Sequence, residues 1–306
     1  MILCLGLAAD RTFVHTLRAL ARSRARFAVV DLAHLALGGS LDARPGAAVL
    51  RLGLGGVEHA LDACESVYAR VLDIAARAPT PQLRERSAAL SIALAEALAA
   101  SATPVLNPPR AAAFAFSKLA HGPELARERG WAFPRSCLTS EPEEARAFLA
   151  SCPAGAIFKG ASAAKTWVTV YDAERHAERL RELPAGPALF QELIVGPDVR
   201  VHVVGERVFC ERIESSAVDY RHGGRNAFAA IEPPAAIAEP GRALAAELSL
   251  PFLALDFKLE RASGRWVFLE LNTAPAYEGY DVRAGGAISA ALADWLRSPP
   301  PAPSAA

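Results

Sequence analysis

The sequence lacks the features that mark several common classes of protein. Its five cysteines are scattered without a metal-ligand spacing, which favours reduced thiols in a cytoplasmic compartment over zinc ligands or a disulfide framework. No run of Lys and Arg occurs, and 33 basic residues balance 33 acidic ones, which argues against a nucleic-acid binder that relies on positive charge. No apolar run is long enough to span a bilayer. We therefore expect a soluble globular protein without a nucleic-acid or membrane partner.

Lysine is scarce as well. Only four of the 33 basic residues are lysine: Lys118, Lys159, Lys165 and Lys258. A lysine ammonium is a compact charge that suits phosphate oxygens, so the few that are present are informative. The alternative, that they are residual lysines in an arginine-rich composition, stays open for each one. The sequence also has no G-x-G-x-x-G motif and no Ser/His/Asp or Cys/His arrangement.

The pattern of apolar residues predicts an α/β region followed by α+β regions. Strand, helix and strand signals over Met1–Ala9, Arg11–Ala25 and Phe27–Leu32 predict a βαβ unit with a parallel sheet. Asn107-Pro108-Pro109 breaks the chain, and the pattern becomes mainly β from Ala188. The predicted organisation is an α/β domain at 1–106, two subdomains at 107–187 and 188–297, and a disordered tail at 298–306.

The stretch from Phe252 to Asn272 predicts two strands joined by a tight loop. Matching their apolar faces sets Leu259 opposite Val267 and Phe257 opposite Leu269. This register leaves a three-residue loop, Ala262-Ser263-Gly264, with Gly where a left-handed residue is needed.

The same register places two acidic side chains opposite each other. Asp256 faces Glu270, and Asn272 lies two residues further along on the same face, which Trp266 and Phe268 are predicted to share. Facing carboxylates repel each other unless a cation lies between them, and all three side chains offer the oxygen ligands that Mg²⁺ takes. The pattern favours a metal site; two acids that tolerate each other on a solvent face are the alternative.

Five short motifs occur in a characteristic order. They are N-P-P-x-A with S-K-L at Ser117–Leu119, F-K-G-A-S around Lys159, F-Q-E-L-I-V-G-P-D-V-R-V-H-V-V-G at Phe190–Gly205, A-L-D-F at Ala254–Phe257, and F-L-E-L-N at Phe268–Asn272. This order resembles the ATP-grasp superfamily, in particular its branch of ribosomal-protein glutamate ligases and ribosomal-peptide-crosslinking ligases. The resemblance covers residues 107 to 296. It implies a pre-ATP-grasp α/β domain followed by an ATP-grasp fold of two α+β subdomains with mainly antiparallel sheets.

The resemblance also implies roles for individual residues. ATP would lie between the two subdomains, with its phosphates on Lys118 and Lys159 and its transferred phosphoryl group on Arg200. The adenine would meet Gln191 and the backbone of Glu192, Leu193 and Ile194, and the ribose would meet Asp198. One or two Mg²⁺ ions, with Mn²⁺ as a substitute, would be held by Asp256, Glu270 and Asn272.

The substrate side is less defined by the sequence. The guanidinium group of arginine suits a carboxylate, and aromatic residues beside glycines can line a pocket. The candidates are Arg212, Tyr220, Arg221, Arg225 and Tyr280, with Tyr277 in the same loop; solvated loop charges and plain loop packing are the alternatives.

These expectations together describe an ADP-forming ligase. A substrate carboxylate would be activated as an acyl phosphate and then attacked by an amine or similar nucleophile, on a peptide or an amino acid. The alternatives are an ATP sensor or small-molecule kinase on the same fold, and a non-enzymatic interaction protein. A homodimer is compatible with the sequence.

Overall fold

The computed structural model describes residues 1–44, 47–51, 56–71, 74–75, 78–109, 117–160 and 168–300. Predictions that concern Lys165, the loop after Gly160 and the end of the tail lie outside these residues. No helix in the described ranges is long and apolar enough to cross a membrane. All five cysteines are free thiols.

The first hundred residues form a parallel sheet with helices, as predicted. Its four strands lie in the order β2-β1-β6-β7, and every pair is parallel. Helix α1 begins after Asp10, whose carboxylate accepts a hydrogen bond from the Phe13 N–H at 2.9 Å. The elements are β1 (Ile2–Gly6), α1 (Arg11–Arg22), β2 (Phe27–Asp31), α2 (Leu32–Gly38), β3 (Ser40–Arg44), β4 (Ala47–Arg51), β5 (Glu58–Ala60), β6 (Ser66–Ala69), α3 (Pro81–Ala100) and β7 (Val105–Leu106), of which β3, β4 and β5 make a small antiparallel sheet.

A four-stranded antiparallel sheet follows, in the order β10-β9-β11-β8. Helix α5 packs on this sheet through Ala145, which shares a buried cluster with Leu180 and Phe190. The elements are α4 (His121–Glu128), β8 (Ser136–Thr139), α5 (Pro142–Ala150), β9 (Ala156–Gly160), β10 (Thr169–Val170), α6 (Ala173–His176) and β11 (Ala188–Glu192).

The last sheet has five antiparallel strands in the order β14-β13-β12-β15-β16. One of its faces is apolar and packs against α7 and Trp131, whereas the other face carries polar side chains. The elements are β12 (Asp198–Val204), β13 (Arg207–Ser215), β14 (Asn226–Ile231), α7 (Ala235–Glu247), β15 (Phe252–Leu259), β16 (Trp266–Asn272), α8 (Glu278–Arg283) and α9 (Ala287–Arg297). The predicted fold class, a parallel sheet followed by mainly antiparallel sheets, is confirmed.

The predicted register of the β15–β16 hairpin is correct at its acidic end and wrong near its loop. Asp256 pairs with Glu270 as expected, but Leu259 pairs with Trp266 because a bulge separates the two halves. The bulge turns Phe268 into the apolar core, where it is fully buried 5.5 Å from the ring of Trp131, so Phe268 does not share the acidic face. The loop has four residues between Glu260 and Arg265 instead of three, and Gly264 has the expected left-handed φ of 69°.

Asn107, at the predicted domain boundary, forms hydrogen bonds at the beginning and the end of the β15–β16 hairpin. Its side-chain amide donates a hydrogen bond to the Thr273 carbonyl at 2.7 Å and accepts one from the Phe252 N–H at 3.1 Å. A third buried cluster joins the two regions, since Phe13 and Tyr68 pack with Leu292 of α9. The domain limits stay a prediction.

Gly196 lies in the segment between β11 and β12, and this segment packs against the end of β15 and the loop that follows it. A Cβ at this position would lie 1.9 Å from the carbonyl oxygen of Leu259. We expect Gly196→Ala to force these backbones apart and to lower the free energy of unfolding by about 3 kcal/mol, measured by denaturant titration. Gly186→Ala is the control, because nothing lies within 4 Å of its Cβ position, and it should change the free energy by only about 0.5 kcal/mol. Equal stabilities of the two variants would contradict the prediction.

Candidate active site

The predicted metal ligands converge on the polar face of the five-stranded sheet. Asp256 on β15 and Glu270 on β16 are directly opposed across the hairpin. The amide nitrogen of Asn272 lies 2.8 Å from Oδ2 of Asp256. Two carboxylates and one amide are therefore within reach of one point, although no group of three or more His, Cys, Asp or Glu side chains suited to a metal occurs among the described residues.

Arg200 occupies the next strand of the same face. It pairs with Asp256 in the β12–β15 ladder, and its Nη1 donates to Asp256 Oδ2 at 2.6 Å. Its Nε lies 3.4 Å from Nε2 of His202, and its guanidinium carbon is 5.4 Å from the ring centroid of Tyr280. Burial raises the pKa of Asp256 and the charge of Glu270 adds to this effect, while Arg200 opposes it.

The two predicted phosphate-binding lysines approach this cluster from different elements. Lys118 lies in the turn before α4, and its Nζ is 2.8 Å from Oε2 of Glu270. Lys159 on β9 donates to the neutral side-chain oxygen of Gln191 at 2.5 Å. Burial and the charge of Lys118 lower the pKa of Lys159 to about 8. Burial alone would raise the pKa of Glu270, but Lys118, Arg221 and Lys159 together lower it to about 2.

The residues predicted at the nucleotide base line the turn at the end of β11. Gln191 is buried and donates to Ser136 Oγ at 2.9 Å, so its side chain holds Lys159 in place. The N–H of Glu192 bonds to Arg135 and the N–H of Leu193 bonds to Gly155, at 3.0 Å each.

Ile194 and Asp198 continue the same segment towards the five-stranded sheet. The backbone of Ile194 makes no hydrogen bond to another described residue, which leaves its N–H available to a ligand. Asp198 pairs with Lys258 at 2.9 Å. Burial raises the pKa of Asp198 to about 6, and Lys258 opposes the rise. Lys258 is therefore a charge partner and not merely a residual lysine.

Arg212 is the predicted substrate residue that the structure excludes. It pairs with Val199 in the β12–β13 ladder and therefore points to the apolar face, whereas Arg200 and Asp256 point to the polar face. Its Nη2 bonds to Glu214 at 2.5 Å on that far side. Tyr277 is wrong as a pocket residue too, since it is fully buried and bonds to Thr16 at 2.8 Å.

Three other substrate candidates lie beside the cluster. The hydroxyl oxygens of Tyr220 and Tyr280 are 2.5 Å apart, and Tyr280 lies over Arg200. Arg221 is chelated by both oxygens of Asp219 at 2.8 Å each, and its charge lowers the pKa values of the two metal-ligand candidates. Arg225 is exposed, and its backbone N–H bonds to Ser216 at 2.9 Å, so no described contact brings its side chain to the cluster.

The sequence reasoning missed three residues that support the site. His202 is buried beside Arg200, and burial together with the charge of Arg200 keeps its pKa well below the usual value, so its ring is neutral. Arg283 and Glu211 form a bidentate pair at 2.7 and 2.6 Å next to Tyr280. Only His202 had a detectable signal, since it lies two residues after Arg200 on the same face of a strand.

The chemistry of the cluster suits a polyanion together with a divalent cation. Lys159 has a neutral amide as its described partner, so its charge is not cancelled by a carboxylate. Glu270 and Asp256 are each neutralised by a basic side chain, Lys118 and Arg200 respectively. A cation at the carboxylates and an anion at the basic groups would replace both ion pairs at once.

Comparisons with known proteins identify the fold. Neither a scan of protein-family models nor a search of curated protein sequences finds a match. Among solved structures, the ATP-grasp ligase PsnB, in complex with a phosphomimetic variant of its minimal precursor, Mg and ADP, has a TM-score of 0.76 and 26% identity and covers 97% of each chain.

Two further structures share the fold at lower identity. The macrocyclase MdnC from Microcystis aeruginosa, bound to its precursor peptide MdnA, has a TM-score of 0.80 at 19% identity, with 97% of this chain and 99% of that chain covered. A RimK-domain ATP-grasp protein from Sphaerobacter thermophilus has a TM-score of 0.58 at 17% identity, with 96% and 98% covered. The chain thus has the ATP-grasp fold, and it resembles the branch of that superfamily to which the peptide ligases belong.

Proposed function

We propose that this protein is an ATP-dependent ligase that joins a carboxylate to an amine or a related nucleophile, with a peptide as the substrate. The observation that carries the proposal is the convergence of Asp256, Glu270 and Asn272 with Lys118, Lys159 and Arg200 between two antiparallel sheets. The bound ADP, Mg and precursor peptides of the similar ligases support the same assignment.

Each group has a role in this proposal. Lys118 and Lys159 hold the phosphates, Ile194 and its neighbours hold the base, and Asp198 holds the ribose. Asp256, Glu270 and Asn272 hold Mg²⁺ ions, which neutralise the charge of the polyphosphate when they are bound. Arg200 neutralises the phosphoryl group during transfer, because phosphoryl transfer depends mainly on positioning and on balancing negative charge.

The reaction needs no nucleophile from the protein. An oxygen of the substrate carboxylate bonds to the γ-phosphorus as the bond from that phosphorus to the β-phosphate oxygen breaks, which gives an acyl phosphate and ADP. An amine then bonds to the acyl carbon, loses a proton, and displaces phosphate to form an amide. Arg200 and Arg221 lie beside the carboxylates and can balance the charge of the acyl phosphate.

The proposal is tested by phosphate release from ATP in the presence of Mg²⁺ and a panel of ribosomally encodable peptides rich in Asp, Glu, Ser, Thr and Lys. A ligase should release phosphate only with an acceptor and should yield a peptide product that has lost one water, detected by mass spectrometry. A phosphorylated product would identify a kinase. Nucleotide binding without release would identify a sensor, and no binding would exclude all three.

The lowered pKa of Lys159 gives a pH dependence. Only the protonated amine neutralises a phosphate, so nucleotide affinity should be constant below the pKa of about 8 and should fall above it. The fall approaches tenfold per pH unit, since one proton must then be taken up on binding (about 1.4 kcal/mol per unit). Calorimetric titration of MgATP between about pH 7 and about pH 9.5 measures it. Lys159→Arg should flatten the profile, because guanidinium stays charged; an identical fall in this variant would contradict the assignment.

A further inference from the structure

Arg283, the last residue of α8, is held by more contacts than a partly exposed arginine requires. Its Nε and Nη2 donate to the two oxygens of Glu211 at 2.7 and 2.6 Å. Its guanidinium carbon lies 4.0 Å from the ring centroid of Phe228 and 5.1 Å from that of Tyr280. A planar cation fixed by two hydrogen bonds and by two aromatic rings has little freedom to reorient.

Two residues that contact Arg283 are also neighbours of Arg200. Tyr280, one of the two rings that pack against Arg283, also packs against Arg200, whose guanidinium carbon lies 5.4 Å from the centroid of the Tyr280 ring. Glu211, the anchor of Arg283, is the ladder partner of Arg200 on β13 and points to the same face. The hydroxyl oxygen of Tyr220 lies 2.5 Å from that of Tyr280.

We propose that Arg283 is a positioning residue for Arg200: by clamping Tyr280 against the polar face of the sheet, it sets the orientation in which Arg200 meets the phosphoryl group. This inference rests on the proposed function. If Tyr280 rotated away from the sheet, Arg200 would lose the ring that packs against one side of it. A displacement of a reacting group by about 1 Å can lower the reaction rate about a hundredfold.

The five-stranded sheet is held mainly by contacts other than the Arg283–Glu211 pair. The side chain of Arg283 is 35% exposed, and α8 is only six residues long. The strand that carries Glu211 is already paired on both sides, with β12 and with β14. Loss of the pair should therefore disturb Tyr280 and Arg200 more than it disturbs the sheet.

The first test observes Arg200 directly and needs no turnover. In a ¹⁵N-labelled protein, the Nε–H signal of Arg200, assigned with Arg200→Lys, should be protected because it faces His202 in a buried site. Arg283→Met leaves the buried carboxylate of Glu211 without its partner and should lower the melting temperature, but the protein should stay folded at the temperature of the measurement. In this folded sample the signal of Arg200 should shift or broaden. Arg207→Met, which breaks an exposed pair with Asp294, is the matched control and should leave the signal unchanged. An unchanged Arg200 signal in Arg283→Met overturns the proposal.

The second test uses the ligase reaction. Arg283→Met should lower kcat about tenfold and leave KM for ATP within about twofold, because a positioning residue affects the reacting geometry more than ground-state binding. Arg283→Lys should recover part of the loss, since lysine keeps the charge over the rings but not the two-pronged bond to Glu211. A kcat equal to that of the wild type in Arg283→Met overturns the proposal. If the wild type proves to have no ligase activity, the proposed function fails while the signal of Arg200 still decides this inference.

Discussion

Glu270→Gln and Asp256→Asn are each expected to reduce strongly the gain in nucleotide affinity that Mg²⁺ provides. Each substitution removes one of the two facing carboxylates, which sit between basic groups and supply the charge for a divalent cation. Loss of a charge-assisted contact of this kind costs about 2.7 kcal/mol, so the gain in ATP affinity from Mg²⁺ should fall by about a hundredfold. Calorimetry with ATP in Mg²⁺ and in EDTA measures both affinities.

The two variants differ in their cost to the fold. Asp256→Asn leaves the buried Arg200 without its carboxylate, and we expect it to lower the free energy of unfolding by about 3 kcal/mol. Glu270 is about one-quarter exposed, so its variant is the cleaner probe. Asp294→Asn, which alters an exposed acid paired with Arg207, is the control and should leave nucleotide binding unchanged. Full retention of the Mg²⁺ effect in both site variants would remove the basis for the proposed function.

Lys118→Met is expected to strengthen the binding of Mn²⁺ alone and to weaken the binding of MgATP. Lys118 lies 2.8 Å from Glu270 and so competes with a cation for that carboxylate. Its removal should strengthen the binding of Mn²⁺ alone by about tenfold and weaken the binding of MgATP by about tenfold, each equal to about 1.4 kcal/mol, because a partly exposed charged pair is worth about that much. Electron paramagnetic resonance counts free Mn²⁺ directly.

Lys258→Met is the matched control for this experiment. Lys258 lies on the same sheet and pairs with Asp198, not with Glu270. It should leave the affinity for Mn²⁺ unchanged. If Lys118→Met binds Mn²⁺ no more tightly than the wild type does, then Lys118 does not compete with the cation for the carboxylate of Glu270.

The sequence allowed the acidic centre to be located because strand periodicity is a local property. The opposition of Asp256 and Glu270 follows from matching two apolar faces across one short loop, and the structure has the same pair. The bulge in β16 could not be predicted this way. The bulge places Phe268 against Trp131, a residue more than a hundred positions away in the sequence, and such a long-range contact leaves no signal in the local pattern.

The orientation of Arg212 follows from the sequence of the β12–β13 hairpin. The turn at Gly205-Glu206 has two residues, and a two-residue turn sets Val204 opposite Arg207. Counting along the ladder from there places Arg212 opposite Val199, on the apolar face. The contacts of Lys118 with Glu270 and of Tyr220 with Tyr280 could not be derived in this way, since they join segments whose approach depends on the packing of whole sheets.

The backbone links between the last two sheets bear on how a ligand enters. Two neighbouring segments, 132–135 and 192–197, connect strands β8–β11 to the rest of the chain, and they are joined to each other where the Glu192 N–H bonds to Arg135. Lys159 belongs to the β8–β11 side, while Lys118 is paired with Glu270 on the other side. A bend in these two segments would thus alter the distance between the ammonium groups of Lys118 and Lys159. A polyphosphate bound to both groups would therefore fix the angle between the two sheets.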